Sequence, residues 1–358
     1  MAQSVAEIVT EHFRRHLASG STEILPDVGV IDKIIRAAFW ASLRRDEGRA
    51  PKISLAYLPP ATDNALLFER PLPLNPSTLT RLAPAVERPG IHLGVWPAPN
   101  NGDLMLWGAT RIIPPLAFVL EVVEPGLLVV KHRRAGPDGK FANVVVLEGD
   151  QVRIVDAEGT LASECPDFVA TLLGFDASRV TTENVLLPLA LSMRAHGHGG
   201  SLLVVPHAGT DWRQSILWPV PYAVAPPFSR LGQLVRDGTR DEEFKEAIDA
   251  IGGLTAVDGA VVVSDRWDVL AFGAKIGRRE AGSSVEEILV REPIAGFTPR
   301  RVHPSDMGGT RHLSAAQFVH EQHEALALVA SQDRRFTVFG WSPEAAMVYA
   351  YRVEALLL

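Results

Sequence analysis

The run Val261-Val262-Val263 constrains this chain most. Three consecutive β-branched residues suit an extended backbone and leave it no polar face. A strand of that composition is covered on both sides, which places it inside a sheet between layers of helix. Directly before it stand Asp258, Gly259 and Ala260, a carboxylate and a permissive backbone position at the mouth of the strand. Ser201-Leu202-Leu203-Val204-Val205, preceded by Gly199 and Gly200, is a second buried run. The C-terminal half therefore reads as α/β.

The pattern around those strands supports the same class. Residues 185–196 and 241–251 have helical spacing, with Phe244, Ala247, Ile248 and Ile251 on one face of the latter. A further helix is expected over 166–174. Residues 257–264 and 269–276 form a hairpin-like pair about the turn Asp265-Arg266-Trp267-Asp268. Strands are expected over 325–330 and 336–341, with a closing helix or strand over 343–358. The proline- and aromatic-rich stretch 212–228 reads as an ordered loop.

The N-terminal half has a different rhythm. Residues 5–17 and 31–43 have helical spacing, and Arg44-Arg45 suits the second helix's C-terminal dipole. A β-rich region follows, with strands expected over 53–58, 92–96, 104–107, 116–123, 127–132, 143–147 and 152–156. Pro60, Pro71, Pro73 and Pro76 mark a loop before most of them. Pro125-Gly126 and Glu148-Gly149-Asp150 mark turns. The expected product is an α+β, β-rich input or interaction domain over 1–165, built as an antiparallel meander in a small open sheet or barrel. Trp96, Trp107 and Phe118 are expected in its core. A second domain would fill 166–358, with the boundary falling loosely between 158 and 178.

Composition narrows the function. A formal net charge of −7 argues against non-specific nucleic-acid binding. A single cysteine, Cys165, excludes an internal disulfide and an all-cysteine metal site, and it fits a reducing, cytoplasmic setting. No run of 18 uncharged apolar residues appears, so no membrane association is expected.

The chemistry-bearing residues lie in two places. Asp258 is suited to hold a divalent metal or to accept a proton from a hydroxyl; it also fits a plain turn aspartate before glycine. The run Gly308-Gly309-Thr310-Arg311-His312-Leu313-Ser314 precedes a helix expected to begin near Ser314. Glycines allow close backbone approach, a helix N-terminus attracts anions, and Arg311 offers a planar fork to phosphate oxygens. The other reading is helix capping by Thr310 or Ser314, with Arg311 on the surface. His196-x-His198 and His320-Glu321-Gln322-His323 lack the ligand sets that zinc requires and read as surface or capping histidines.

Asp258-Gly259-Ala260 on a strand, followed by Gly309-Thr310-Arg311-His312 before a helix, resembles the diadenylate cyclase domain over residues 186–338. The chain is also similar to a divergent branch of that family, the probable sensor domain DACNV, over most of its length. The resemblance implies a mixed central sheet flanked by helices. It implies that Gly259, Ala260, Gly309, Thr310, Arg311, His312 and Ser331 line a nucleotide site, with Asp258 as catalytic residue and metal ligand. It implies ATP or a cyclic dinucleotide as ligand, Mg²⁺ or Mn²⁺ as cofactor if active, and a homo-oligomer formed through this domain. Leu313 replaces the second arginine of the family pattern, and Ser331-Gln332-Asp333 replaces Ser-Glu-Glu. The expectation is therefore a nucleotide sensor, with an active cyclase joining two ATP molecules as the alternative. Leu254, Phe272 and Leu313 are expected around the adenine.

Overall fold

A computed structural model describes residues 5–17, 25–46, 48–60, 65–133, 141–149, 151–155, 185–280, 282–333 and 335–358. The chain divides into two compact units, the first ending at Val155 and the second running from Asp156 to Leu357. Each is built on one mixed sheet. The helix expected over 166–174 and Cys165 lie outside the described residues.

In the first unit, α1 (Val5–Leu17), α2 (Val28–Ser42) and α3 (Pro76–Val86) pack on an eight-stranded sheet. Its strands are β1 (Ile53–Tyr57), β2 (Ala65–Pro73), β3 (His92–Pro97), β4 (Leu104–Thr110), β5 (Phe118–Glu124), β6 (Leu127–Arg133), β7 (Phe141–Glu148) and β8 (Gln151–Ile154). They lie in the order β2-β4-β3-β1-β5-β6-β7-β8. Phe13, Ile31, Ile34 and Leu79 from the helices meet Leu55, Leu93, Leu120 and Leu128 from the strands. Each such side chain, fully buried, contributes about 1.5–3 kcal/mol of transfer free energy. Trp107 and Phe118 are buried as expected, whereas Trp96 is only partly covered.

The sheet is open, one of the two expected forms, with β2 and β8 at its edges. Two expectations for this unit are corrected. It is not a pure antiparallel meander, because β1 pairs in parallel with β3 (Leu55 opposite Leu93). Of the prolines expected in a loop, only Pro60 lies outside regular structure. Pro71 and Pro73 sit in the edge strand β2, where a missing N–H costs little, and Pro76 opens α3. Asn75 caps that helix, its side-chain oxygen accepting from the Thr78 N–H at 2.9 Å.

The second unit has nine strands in the order β10-β12-β11-β9-β15-β16-β17-β13-β14. These are β9 (Gly200–Val205), β10 (Tyr222–Phe228), β11 (Ala260–Ser264), β12 (Val269–Ala274), β13 (Ile288–Arg291), β14 (Arg300–Val302), β15 (Leu326–Ala330), β16 (Phe336–Ser342) and β17 (Met347–Arg352). β9 runs parallel to β11, and β13 parallel to β17. Alternate residues point to opposite faces. Leu202, Val204, Val261 and Val263 meet α4 (Leu186–Ala195), α5 (Arg230–Arg236) and α6 (Glu242–Leu254). Leu203, Val205 and Val262 meet α7 (Thr310–Glu321) through Ala315, Ala316, Phe318 and Val319. The valine run is thus covered on both sides, by helices on each face.

The stretch 212–228 is corrected from loop to a short 3₁₀ turn (Asp211–Ser215) followed by the edge strand β10. Helix α7 begins at Thr310, four residues before the expected start. Among the described residues no helix is long and apolar enough to cross a membrane.

Candidate functional site at one end of the second sheet

Sheet register gathers the site. Ala260, at the start of β11, stands opposite Ser201 on β9 and Ala274 on β12. Ala330, at the end of β15, stands opposite Gly200. The segments just beyond this row, carrying Asp258-Gly259, Lys275, Gly199 and Ser331-Gln332, therefore share one end of the sheet.

Three charges meet there. Lys275 donates to Asp258 in an ion pair whose side chains are 49% and 86% exposed. Lys275 first, and Arg311 more weakly, hold the Asp258 carboxyl below its usual range. An exposed pair of this kind contributes little to stability. The backbone is close-set around it. Gly259 has φ +113°, and a Cβ there would lie 2.4 Å from the Gly273 carbonyl carbon. Gly199 has φ +69°, and a Cβ there would meet the Ala330 carbonyl oxygen at 3.1 Å and Arg311 Nη1 at 3.4 Å. Arg311 therefore reaches from the first turn of α7 to the glycine before β9.

The remaining expected residues fall as follows. Gly309 is the N-cap of α7, and no side chain caps the helix, so neither Thr310 nor Ser314 does so. Thr310 is exposed in the first turn. His312 points inward: it is 3% exposed, edge-on to Phe339 at 6.0 Å and packed against Gly308. Burial lowers its pKa, so the ring is a neutral core group rather than a cation facing solvent. Ala260 is buried, and only its backbone borders the rim. Ser331 is half-buried, its N–H donating to the Arg335 carbonyl at 2.9 Å. The Gln332 side chain donates to the His198 carbonyl at 3.4 Å.

The expected adenine walls do not come together. Leu254 and Phe272 pack on the face covered by α4–α6, with Phe272 stacked on Tyr222 at 4.6 Å. Leu313 instead lines a cleft of about 560 Å³ on the α7 side, with Ile276, Val285, His303 and Gln317. His196 and His198 stack at 5.8 Å, and the His196 ring lies 3.0 Å from the Thr255 hydroxyl. Among the described residues no cluster of three or more histidine, cysteine or acidic side chains is placed to hold a metal. Asp258 alone offers one carboxylate, and Lys275 occupies it, so a divalent ion would find few protein donors here.

Lys275 is the site residue that reading the sequence missed. Two irregular steps in the β11–β12 register, between Ala260 and Val262 and between Val262 and Val263, set which residue faces Asp258. Hairpin counting from the turn does not anticipate them.

Comparison with known families adds one finding. Residues 21–111 match the family model described as probable sensor domain DACNV. The match lies within the first unit and is shorter than the similarity expected along most of the chain. It is consistent with a sensing role. No curated protein matches the chain.

Proposed function

We propose that the protein is a sensor whose second unit binds a nucleotide, ATP or a cyclic dinucleotide, through its phosphates. The observation that carries this reading is the convergence of Lys275, Arg311 and two glycine backbones on one rim, next to the uncapped N-terminus of α7. Two cations and free helical N–H groups suit a phosphate. On binding, Lys275 turns from Asp258 to a phosphate oxygen, and Arg311 supplies its fork. The base enters the cleft beside Leu313 and Ile276, which supplies apolar walls. The DACNV match in the first unit supports sensing as the purpose.

The second reading is an active diadenylate cyclase, favoured by the exposure of Asp258. Its ionised carboxylate would accept the proton of a ribose hydroxyl attacking the α-phosphate of a second ATP, with pyrophosphate leaving. Two copies would have to bring their rims face to face, a homo-oligomer through this unit. Leu313 and Gln332 stand where the family pattern carries a cation and a carboxylate, and they weigh towards the sensor.

Incubation with ATP and Mn²⁺, read by mass spectrometry beside Asp258→Asn, separates the two. The sensor reading expects no cyclic dinucleotide from either protein, with a nucleotide-induced thermal shift in both. A cyclic product from the unsubstituted chain alone would establish the cyclase.

A further inference from the structure

Helix α2 presents two faces. Ile31, Ile34, Ala38 and Ala41 are buried against the sheet. Lys33, Arg36, Ala37 and Trp40 follow helical spacing along the other side, and Trp40 is 58% exposed. That second face overlooks a cleft of about 430 Å³ within the first unit, whose far wall is made by Leu74, Leu104 and Met105.

We propose that this cleft is the ligand site of the first unit, and that its ligand is a small molecule with a planar apolar body and an anionic group. The volume falls in the range of small-molecule sites, roughly 300–1,000 Å³. Trp40 leaves a large aromatic surface uncovered at its edge, suited to stack on a planar group. Met105 adds an adaptable apolar wall. The cations lie on the helix side of the mouth, where an anionic group would be met. Arg36 is paired with Asp32 at 2.7 Å, one helical turn back. Lys33 has no ion-pair partner among the described residues, so a cation stands free at the mouth. On the far wall the Asp103 carboxylate is engaged by the Asn101 amide at 2.5 Å, and Asn75 is committed to capping Thr78. The cleft lies inside the stretch that matches a probable sensor domain and in a different unit from the phosphate rim. Its fate is therefore independent of the nucleotide reading.

The test uses the full chain and two probes with one apolar body: 8-anilinonaphthalene-1-sulfonate, and the uncharged N-phenyl-1-naphthylamine. Both should bind at one per chain. Trp40→Ala should weaken both about tenfold, the scale of one lost aromatic stacking contact. Trp40→Phe should restore most of that loss. The double variant Lys33→Gln/Arg36→Gln should weaken the sulfonate about tenfold and leave the neutral probe unchanged. Unaltered binding in Trp40→Ala overturns the proposal, as does an equal loss of both probes on charge removal. Self-association that Trp40→Ala abolishes while probe binding stays intact would make this face a contact between copies, and would also overturn it.

Discussion

At the scale of single residues, the rim combines ionised groups with backbone that tolerates no side chain. The Asp258 carboxyl is held low first by Lys275, so Lys275→Ala should raise its pKa towards the ordinary carboxylate value, read by carbon-detected NMR titration. The associated stability is present above the unfolded carboxylate pKa and fades as pH falls; at so exposed a position it is small. His312 acts in the same direction, at higher pH. Burial depresses its pKa, so the unfolded chain takes up that proton first, and stability drops as pH falls below about 6.5. In His312→Phe the acid-side loss of melting temperature should be smaller. Gly259→Ala forces a Cβ into the Gly273 backbone at a positive φ, and should cost about 1–3 kcal/mol by chemical denaturation. A cost near zero would mean the approach of the two strands is loose.

At the scale of elements, α7 does two jobs. Its first turn carries Arg311 to the rim, and its last turns hold Arg279, Ser283 and Val285, beside the cleft. The Gln317 side-chain oxygen Oε1 accepts from the Val285 N–H at 2.9 Å, and its side-chain Nε2 donates to the Ser283 carbonyl at 2.9 Å. Both Glu321 oxygens accept from the Arg279 N–H at 3.1 Å, and one accepts from the Ser215 hydroxyl at 2.6 Å. Within His320-Glu321-Gln322-His323 the glutamate is thus a structural acceptor. Glu321→Ala leaves those donors unpaired, at a cost of about 1–3 kcal/mol. Amide exchange at Arg279 should accelerate, and unchanged protection there would show that this amide is held by other means.

Elements were legible where one signal dominated. β9 and β11 declared themselves through unbroken apolar runs, and α6 through its spacing. β2 and α3 were hidden because proline suits an edge strand and a helix start as well as a loop. The start of α7 was misplaced because Gly309 caps it without a side-chain bond, so no capping signal marks the boundary. Asp258 and Arg311 stood out by residue type and spacing. Lys275 did not, because its place depends on backbone irregularities that leave no mark in composition.

At the scale of the whole molecule, two mixed sheets carry two different kinds of surface. The first unit holds the stretch that matches a probable sensor domain, with a cleft edged by Trp40. The second gathers a carboxylate, two cations and close glycine turns at one sheet end. On a chain of net charge −7, the pair Lys275 and Arg311 is the feature on which the proposed phosphate site rests. Calorimetric titration of the full chain with ATP and with cyclic di-AMP, beside Arg311→Ala and Asp258→Asn, tests the central claim most directly. Saturable binding of at least one nucleotide is expected, weakened roughly ten- to hundredfold by Arg311→Ala and kept by Asp258→Asn, in line with loss of a charge-assisted hydrogen bond. No heat with either nucleotide, or affinity unaltered by Arg311→Ala, would contradict a phosphate site at this rim.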